Sequence, residues 1–268
     1  MAIEFNQYER TLFLPLIARA SESKKTNSIF SDLYSEKILK QISVEIKLEE
    51  VSEYSKISWA ARALQISKII SEVISTNPEI NIVNIGAGLD TTFYIVDNGK
   101  IFWMNIDSKA VNDLRSQLLP NNDRVINIDG NILDKELYRL IKKSNKPLIV
   151  ASGLFLYFSE QEIKNILLLL TVHFTSLFVV FDRISTYSIQ YIKDDMNKNN
   201  MDGSIIKWGI DNVFEIETWG KGYKIVKDKP WFENIDRSKI ENKEIVKTMD
   251  LNDQYNGSSI VLLEINTI

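Results

Sequence analysis

The chain has no cysteine and only one histidine among its 268 residues. The lack of cysteine excludes disulfides, thiolate metal sites and a cysteine nucleophile, and it suits a reducing compartment, so we expect a cytoplasmic protein. The single histidine, His173, lies in an apolar run, which indicates a packed or surface imidazole. One histidine cannot form a multi-histidine metal site, and we expect no metal.

Flexible, membrane-spanning and strongly basic segments are also missing. Ten glycines and five prolines leave no room for a long linker, and a net charge of −4 argues against a general nucleic-acid binder. No apolar stretch reaches the ~18 residues that a membrane helix needs, and residues 1–9 lack a signal-peptide pattern. We therefore expect no contact with nucleic acid or membrane, and a monomer by default.

From residue 80 onward, short apolar strands alternate with helical stretches. Several strands are apolar on both faces, which is typical of a parallel sheet covered by helices on each side. The pattern predicts an α/β doubly wound fold, in which two further strands near the C-terminus extend the sheet antiparallel. The predicted strands are Ile80–Ile85, Ile101–Ile106, Arg124–Ile128, Leu148–Ala151, Leu177–Phe181, Tyr223–Val226 and Ser259–Glu264.

The remaining segments suggest a single domain with a helical cover. Ser55–Ser75 has apolar residues on two nearly opposite helical faces, as in a helix that is sandwiched between two layers or kinked. Ser159–Glu162 is a capping box that begins another helix. We predict that residues 1–78 form the cover, 79–184 the cofactor-binding core, 185–210 a second part of the cover and 211–268 the rest of the sheet. The polar stretch 194–202 suits a mobile part of that cover.

The sharpest local feature is the glycine turn Gly86-Ala87-Gly88, which directly follows the first predicted strand. In a doubly wound sheet, ligands bind outside the carboxyl ends of the strands, where this turn lies. A purely structural turn is an equal alternative for the glycines alone. A nicotinamide dinucleotide site needs a third glycine three residues after Gly88, where Thr91 stands. The turn therefore favours a nucleoside ligand without a pyrophosphate.

Asp107 ends the next strand, 19 residues after Gly88. Its carboxylate can accept hydrogen bonds from both hydroxyls of a ribose. A helix N-cap is the alternative role for an aspartate at this place.

Gly86-Ala87-Gly88-Leu89-Asp90-Thr91 resembles the Gly-Ala-Gly-x-Asp-Thr motif of the leucine carboxyl methyltransferase family, whose bacterial branch includes enzymes similar to tetracenomycin-type polyketide O-methyltransferases. The resemblance spans nearly the whole chain and implies the class I S-adenosylmethionine-dependent methyltransferase fold, with a mostly parallel seven-stranded sheet and an N-terminal helical cover. It implies S-adenosylmethionine as cofactor and S-adenosylhomocysteine as product. The other matching segments are Thr11–Ala20 with Asp32, Ala60–Arg62, Trp103–Asp107, Ser152–Phe158, Lys207–Gly209 and Glu217–Trp219.

The resemblance also implies roles for single residues. Arg62 would bind the carboxylate of the cofactor's methionine part, and Asp107 its ribose. Asp90 would shape the glycine turn. The acidic adenine contact corresponds to Asn131-Ile132 by spacing or to Asp129 by residue type. Two positions depart from the pattern, because Ser152 stands in place of a glutamate and Thr92 in place of an arginine.

The predicted function is methyl transfer to a carboxylate or hydroxyl oxygen of a small molecule, in which much of the acceleration can come from positioning. A phenol acceptor would gain from a base, and Tyr157 and Asp182 are the candidates for a catalytic role; a packing residue and a helix cap are their alternatives. Three other functions are open. They are a protein C-terminal carboxyl methyltransferase, a cofactor-binding protein that has lost catalysis, and a nicotinamide-dependent oxidoreductase that Thr91 disfavours.

Overall fold

A sheet of seven strands forms the centre of the computed structural model, which describes residues 11–42, 52–141, 146–198 and 202–267. The strands are β1 Asn81–Ile85, β2 Phe102–Asp107, β3 Val125–Asp129, β4 Leu148–Ala151, β5 Ser176–Ile184, β6 Tyr223–Pro230 and β7 Ser258–Asn266. Their order is β3-β2-β1-β4-β5-β7-β6, and β7 runs against its two neighbours while the others are parallel. The predicted mostly parallel sheet is confirmed.

Helices pack on both faces of this sheet. The described α-helices are α1 Phe13–Ser23, α2 Leu33–Gln41, α3 Glu53–Thr76, α4 Phe93–Val96, α5 Lys109–Leu118, α6 Glu160–His173, α7 Thr186–Lys198 and α8 Lys243–Gln254. Side chains of α3, α4 and α8 form one apolar layer with the sheet, and α6 forms a second layer on the other face. The predicted capping box of Ser159 and Glu162 begins α6.

Alternate residues of the central strands supply these two layers. In β1, Ile82 belongs to the layer under α3 and Val83 to the layer under α6. In β4, Leu148 and Ile149 divide in the same way. All four side chains are fully buried, which is why these strands appear in the sequence as continuous apolar runs.

Helix α3 connects the cover to the sheet. It runs without a break for 24 residues, from the N-cap Ser52 to Asn77. It packs against α1 on one side and against β5 and β7 on the other. The two apolar faces of the sequence therefore belong to a helix that is sandwiched between two layers. The cover over residues 1–78 contains α1, α2 and α3, and the stretch 185–210 contains α7. Residues 1–10, 43–51 and 199–201, parts of these predicted segments, lie outside the described residues.

Three asparagines at equivalent positions of β1, β2 and β3 form a hydrogen-bonded ladder within the sheet. Asn84 pairs in register with Asn105, and Asn105 with Asn127. The Asn84 amide donates to Asn105 Oδ1 at 3.4 Å, and the Asn105 amide donates to Asn127 Oδ1 at 3.0 Å. Asn84 and Asn105 are fully buried, so each amide depends on these partners in place of water.

None of the described helices is long and apolar enough to cross a bilayer.

Candidate active site

A cavity of about 200 Å³ opens at the carboxyl ends of the parallel strands, beneath α1 and α3. The turns after β1, β2 and β4 form its floor, and the cover supplies its other wall. This is the place where ligands bind in doubly wound sheets. The described residues that line it are Thr11, Leu12, Pro15, Arg19, Arg62, Asn84, Gly86, Ala87, Gly88, Leu89, Asp90, Asp107, Val111, Ser152, Gly153, Leu154 and Tyr157.

The glycine turn presents its main chain to this cavity. Gly86 and Gly88 have φ values of 62° and 49°, in the left-handed region that glycine tolerates best. The amides of Gly86 and Ala87 donate to the carbonyl of Ile106 at 2.9 and 3.2 Å, which holds the turn against β2. A Cβ atom on Gly86 would lie 2.6 Å from the side chain of Leu154. The backbone therefore favours glycine at both positions, and the close approach of Leu154 is a second reason at Gly86.

Asp107 lies at the end of β2 with its carboxylate on the cavity wall. Oδ2 accepts the amide of Gly88 at 2.7 Å, and Oδ1 accepts the amide of Ser108 at 2.7 Å. Each carboxylate oxygen can accept more than one hydrogen bond, so both can also accept hydroxyls of a ligand. The N-cap of α5 is Ser108, whose hydroxyl accepts the amide of Val111. A helix-capping role therefore does not explain why an aspartate stands at position 107.

Two buried arginines donate to main-chain carbonyls of the glycine turn and of the two residues that follow it. Arg115 of α5 donates from Nη1 to the carbonyls of Gly88 at 2.7 Å and Asp90 at 3.0 Å. Arg19 of α1 donates from Nη2 to the carbonyl of Leu89 at 3.0 Å. Successive carbonyls of the turn are thus fixed from the sheet side and from the cover side.

Arg115 lies outside every motif that the sequence presents. A signal for it exists, because Val111, Leu114, Arg115 and Leu118 share one face of α5 at helical spacing. An arginine within an otherwise apolar stripe indicates a buried cation with specific acceptors.

Asp32 anchors Arg19 from the N-terminus of α2. Its carboxylate accepts Arg19 Nε at 2.9 Å, the Thr91 hydroxyl at 2.5 Å and the amide of Ser35 at 3.0 Å. Burial acts to raise the pKa of Asp32, but the Arg19 charge and the hydrogen bonds from Ser35 and Thr91 outweigh it and hold the pKa below its ordinary value. Asp32 is therefore an ionised anchor between the cover and the glycine turn.

Asp90 and Thr92 complete the shape of the turn. Oδ1 of Asp90 accepts the amide of Thr92 at 3.1 Å and its hydroxyl at 2.7 Å, and Oδ2 accepts the Asn84 amide at 2.9 Å. These contacts agree with the loop-shaping role that the sequence suggested for Asp90. Thr92 is buried, and both its amide and its hydroxyl donate to Asp90.

Two buried residues, Arg62 and Asp182, form a group with Gly153 on the opposite side of the glycine turn from Asp107. Arg62 Nη1 lies 3.4 Å from Asp182 Oδ2, and the amide of Gly153 donates to Asp182 Oδ1 at 2.5 Å. Gly153 has φ 64°, and a Cβ there would lie 2.8 Å from Arg62 Nη1. Nε of Arg62 is buried and has no hydrogen-bond partner among the described residues. Arg62 and Gly153 line the cavity, whereas Asp182 lies behind them.

A second cavity, of about 140 Å³, adjoins the first and shares Thr11, Pro15 and Tyr157 with it. The Tyr157 hydroxyl donates to Thr11 Oγ1 at 3.0 Å at this junction. Ser152 lines the first cavity next to Gly153. The other described residues that line the second cavity are Leu14, Tyr54, Ser55, Ser58, Trp59, Leu156, Ile184, Ser188, Tyr191, Ile192, Met196, Ile206, Trp231, Asn252, Gly257 and Ser258.

The predicted adenine contacts lie beside the first cavity and do not line it. Asp129 is exposed at the end of β3, next to Asp107 in register, and accepts the Asn112 amide at 2.8 Å. Asn131 accepts the amide of Leu133 at 3.0 Å, and Ile132 is buried. The role of Asp129, Asn131 or Ile132 in binding adenine stays a prediction.

The arrangement can hold a ligand that carries a diol and a carboxylate. Asp107 offers carboxylate oxygens to hydroxyls, Arg62 offers a guanidinium to an anion, and the turn between them leaves room for close contact. S-adenosylmethionine has both groups, and the residues present fit it.

Comparisons with known proteins agree with this interpretation. No protein-family model matches the chain. A tetracenomycin polyketide synthesis O-methyltransferase from Streptomyces glaucescens, TcmP, is 22% identical over 217 residues, which cover 81% of this chain and 80% of that protein. The crystal structure of a DUF574 family protein from Streptomyces avermitilis has a TM-score of 0.61 at 10% identity, with 94% and 96% of the two chains covered. A magnesium protoporphyrin IX methyltransferase from Synechocystis, solved with bound S-adenosylhomocysteine, has a TM-score of 0.53 at 8% identity, with 81% and 89% covered.

The predicted resemblance to the tetracenomycin type, the predicted fold and the predicted enzyme class are therefore confirmed. The wider leucine carboxyl methyltransferase family remains a prediction. The chain has the class I fold of S-adenosylmethionine-dependent methyltransferases and is a methyltransferase whose sequence is similar to that of the tetracenomycin O-methyltransferase TcmP.

Proposed function

We propose that this protein uses S-adenosylmethionine to methylate a carboxylate or hydroxyl oxygen of a small molecule. The observation that carries the proposal is the order of groups along one edge of the sheet. Asp107 ends β2, the glycine turn follows β1, and Gly153 lies after β4 next to Arg62. A diol site and a cation site would thus flank the glycine turn. The proposal includes a cytoplasmic location, since a chain without cysteine suits a reducing compartment.

In this proposal the bound cofactor supplies a methyl group activated on a sulfonium. The acceptor oxygen forms the new O–CH₃ bond as the S–CH₃ bond breaks, and S-adenosylhomocysteine is left. A hydroxyl acceptor also releases its proton to water. Arg62 pairs with the cofactor carboxylate, and Asp182 acts as a positioning residue because it fixes both Arg62 and the amide of Gly153. Tyr157 lies at the junction of the two cavities, where the acceptor oxygen has to meet the methyl group.

The size of the second cavity favours a small-molecule acceptor over the C-terminus of a protein. A cavity of about 140 Å³ is close to the ~150 Å³ cavity that holds one benzene ring in an engineered protein. A loss of catalysis is less supported, because Arg62 and Asp107 both line the cofactor cavity with their contacts in place.

The test is calorimetric titration with S-adenosylmethionine and S-adenosylhomocysteine. We expect Asp107→Asn to weaken binding at least tenfold, or ~1.4 kcal/mol. The double variant Arg62→Met/Asp182→Asn should do the same, and it removes the ion pair without leaving a buried charge that would destabilise the fold. Asp113→Asn is the matched control, since this carboxylate is exposed on α5 and pairs with Lys109. Binding of a nicotinamide dinucleotide in place of both nucleosides would refute the proposal.

A further inference from the structure

A third cavity, of about 340 Å³, lies between α4, the end of α5, the loop that follows α5 and β3. The described residues that line it include none of those that line the first or the second cavity. Its volume falls within the ~300–1,000 Å³ that is usual for small-molecule sites. Most of its side chains can form hydrogen bonds, among them Ser116, Asn121, Asn122 and Asn127. The third cavity is therefore a separate and polar space.

Arg115 supplies a buried cation to the wall of this cavity. It is 4% exposed, and its hydrogen bonds to the carbonyls of Ala87, Gly88 and Asp90 all leave from Nη1. Nε is buried and has no hydrogen-bond partner among the described residues. An unpaired N–H group on a buried cation is costly, and a carboxylate oxygen is the acceptor that satisfies it best. The guanidinium can therefore accommodate an anion without releasing the turn.

The other groups of the wall favour a ligand that is polar and small. Among the described residues that line the cavity, Asp123 is the one other charged residue, and it is exposed. Asn121 is exposed and Asn122 half-buried in the loop beside it. Side-chain amides can both donate and accept hydrogen bonds. One end of the cavity thus suits an anion and the rest suits neutral polar groups.

Two connections join the third cavity to the glycine turn. Arg115 is the first, since the same guanidinium lines the cavity and holds the turn carbonyls. The asparagine ladder is the second. At the cavity, Asn127 Nδ2 donates to Ser116 Oγ at 3.3 Å, and at the far end of the ladder the Asn84 amide donates to Asp90 Oδ2. A ligand that fixes Arg115 would therefore also fix the turn.

We propose that the third cavity is a second ligand site, that it binds a small polar carboxylate, and that its occupation strengthens cofactor binding. This inference goes beyond the proposed function, which does not use the third cavity. The carboxylate accepts Nε of Arg115, while Nη1 keeps its carbonyls, and the amides of Asn121 and Asn122 bind the neutral end of the ligand. Because coupling between two bound ligands is reciprocal, the cofactor strengthens carboxylate binding by the same factor.

The first experiment compares two probes of nearly the same shape at pH 7. Succinamate has one carboxylate where succinamide has a second amide. The protein is saturated with S-adenosylhomocysteine, so that Arg62 in the first cavity is occupied in the proposed function. Nuclear magnetic resonance of the methylene protons of the probes reports their binding. We expect succinamate to bind at least ~10-fold more tightly than succinamide.

Substitutions in the wall should locate the bound probe. Asp123→Asn removes the exposed carboxylate and should tighten succinamate binding about threefold, whereas Asn127→Asp adds a carboxylate of the same shape and should weaken it by a similar factor. Neither change should affect succinamide. Asn165→Asp is the control for net charge, because Asn165 is exposed on α6 and outside the cavity.

The second experiment measures the coupling by calorimetric titration of S-adenosylhomocysteine. With succinamate at saturation, we expect S-adenosylhomocysteine to bind about fivefold more tightly, at the lower end of usual couplings between sites. Succinamide should leave its affinity unchanged.

Three results would overturn the inference. They are equal binding of the two probes, succinamate binding that ignores both Asp123→Asn and Asn127→Asp, and a loss of S-adenosylhomocysteine affinity with succinamate, which would place the probe in the first cavity. If S-adenosylhomocysteine does not bind at all, the failure belongs to the proposed function. The comparison of the two probes in the unliganded protein and its variants then decides whether the third cavity is a carboxylate site.

Discussion

Arg115 offers the most direct test of how the glycine turn is held. Its side chain is fully buried beneath the turn and donates to the carbonyls of Gly88 and Asp90. Arg115→Met keeps most of the stem and the packing volume but removes the guanidinium. We expect a folded protein whose turn is no longer fixed from the sheet side.

The size of the effect follows from two opposing contributions. Two charge-assisted hydrogen bonds contribute about 1.5–3 kcal/mol each. Burial opposes them, since it lowers the pKa of Arg115 and its Nε has no partner among the described residues. We therefore expect a net loss of about 2 kcal/mol in the free energy of unfolding, which for this size lowers Tm by about 4–8 °C.

Arg115→Met should also weaken cofactor binding, by an amount at least as easy to measure as its loss of stability. Ordering the backbone of one residue costs about 1–2 kcal/mol, and the variant has to order its turn when it binds. We therefore expect S-adenosylhomocysteine to bind about tenfold more weakly by calorimetry. Arg139→Met is the control, because Arg139 is exposed and pairs with Glu136 at the surface. An unchanged affinity in a protein with a lowered Tm would refute the reasoning, since the turn would then keep its shape without Arg115.

Two further substitutions probe the arginines that line the first cavity. Gly153→Ala should weaken S-adenosylhomocysteine binding about tenfold, because its Cβ would meet Arg62; Gly99→Ala, with similar backbone strain at φ 81° but no atom within 4 Å of its Cβ, should leave affinity unchanged, and equal effects would contradict the argument. Asp32→Asn should lower the free energy of unfolding by about 3 kcal/mol near neutral pH because Arg19 loses its anion. The folded pKa of Asp32 is lowered, so its contribution is present above the ordinary value of 3.8 and is lost as pH falls through the folded pKa. The thermal unfolding temperatures of the unchanged protein and of Asp32→Asn should therefore converge in acid. A difference between them that persists in acid would contradict the role of Asp32 as the anion that holds Arg19.

The fold was predictable because its signals are local. Strands buried on both faces give continuous apolar runs, and the Ser159 capping box marks a helix start without any tertiary information. The positions of Gly86 and Asp107 were also predictable, since Gly86 follows β1, Asp107 ends β2, and the carboxyl ends of these strands lie at the edge where ligands bind.

The rest of the site depends on contacts between distant segments. Arg115 is separated by 27 residues from Gly88, whose carbonyl it holds, and Asp182 by 120 residues from Arg62. Periodicity shows that Arg115 is on the buried face of α5 but not which carbonyls it meets. For the adenine contact, spacing pointed to Asn131-Ile132 and residue type to Asp129. The sequence could not decide between them, because the path of the chain after β3 is set by packing of the loop.

The asparagine ladder has a consequence for how the sheet selects its alignment during folding. A shift of one residue between two strands would turn a buried asparagine toward the opposite, apolar layer and leave its amide without partners. Each such amide would cost about 1–3 kcal/mol, a large share of the stability of a domain. Asn84 lies two residues before Gly86, and Asn105 lies two residues before Asp107. The pairing that satisfies the amides is therefore also the pairing that brings the glycine turn and Asp107 to the same edge, so misaligned sheets are penalised before any ligand is present.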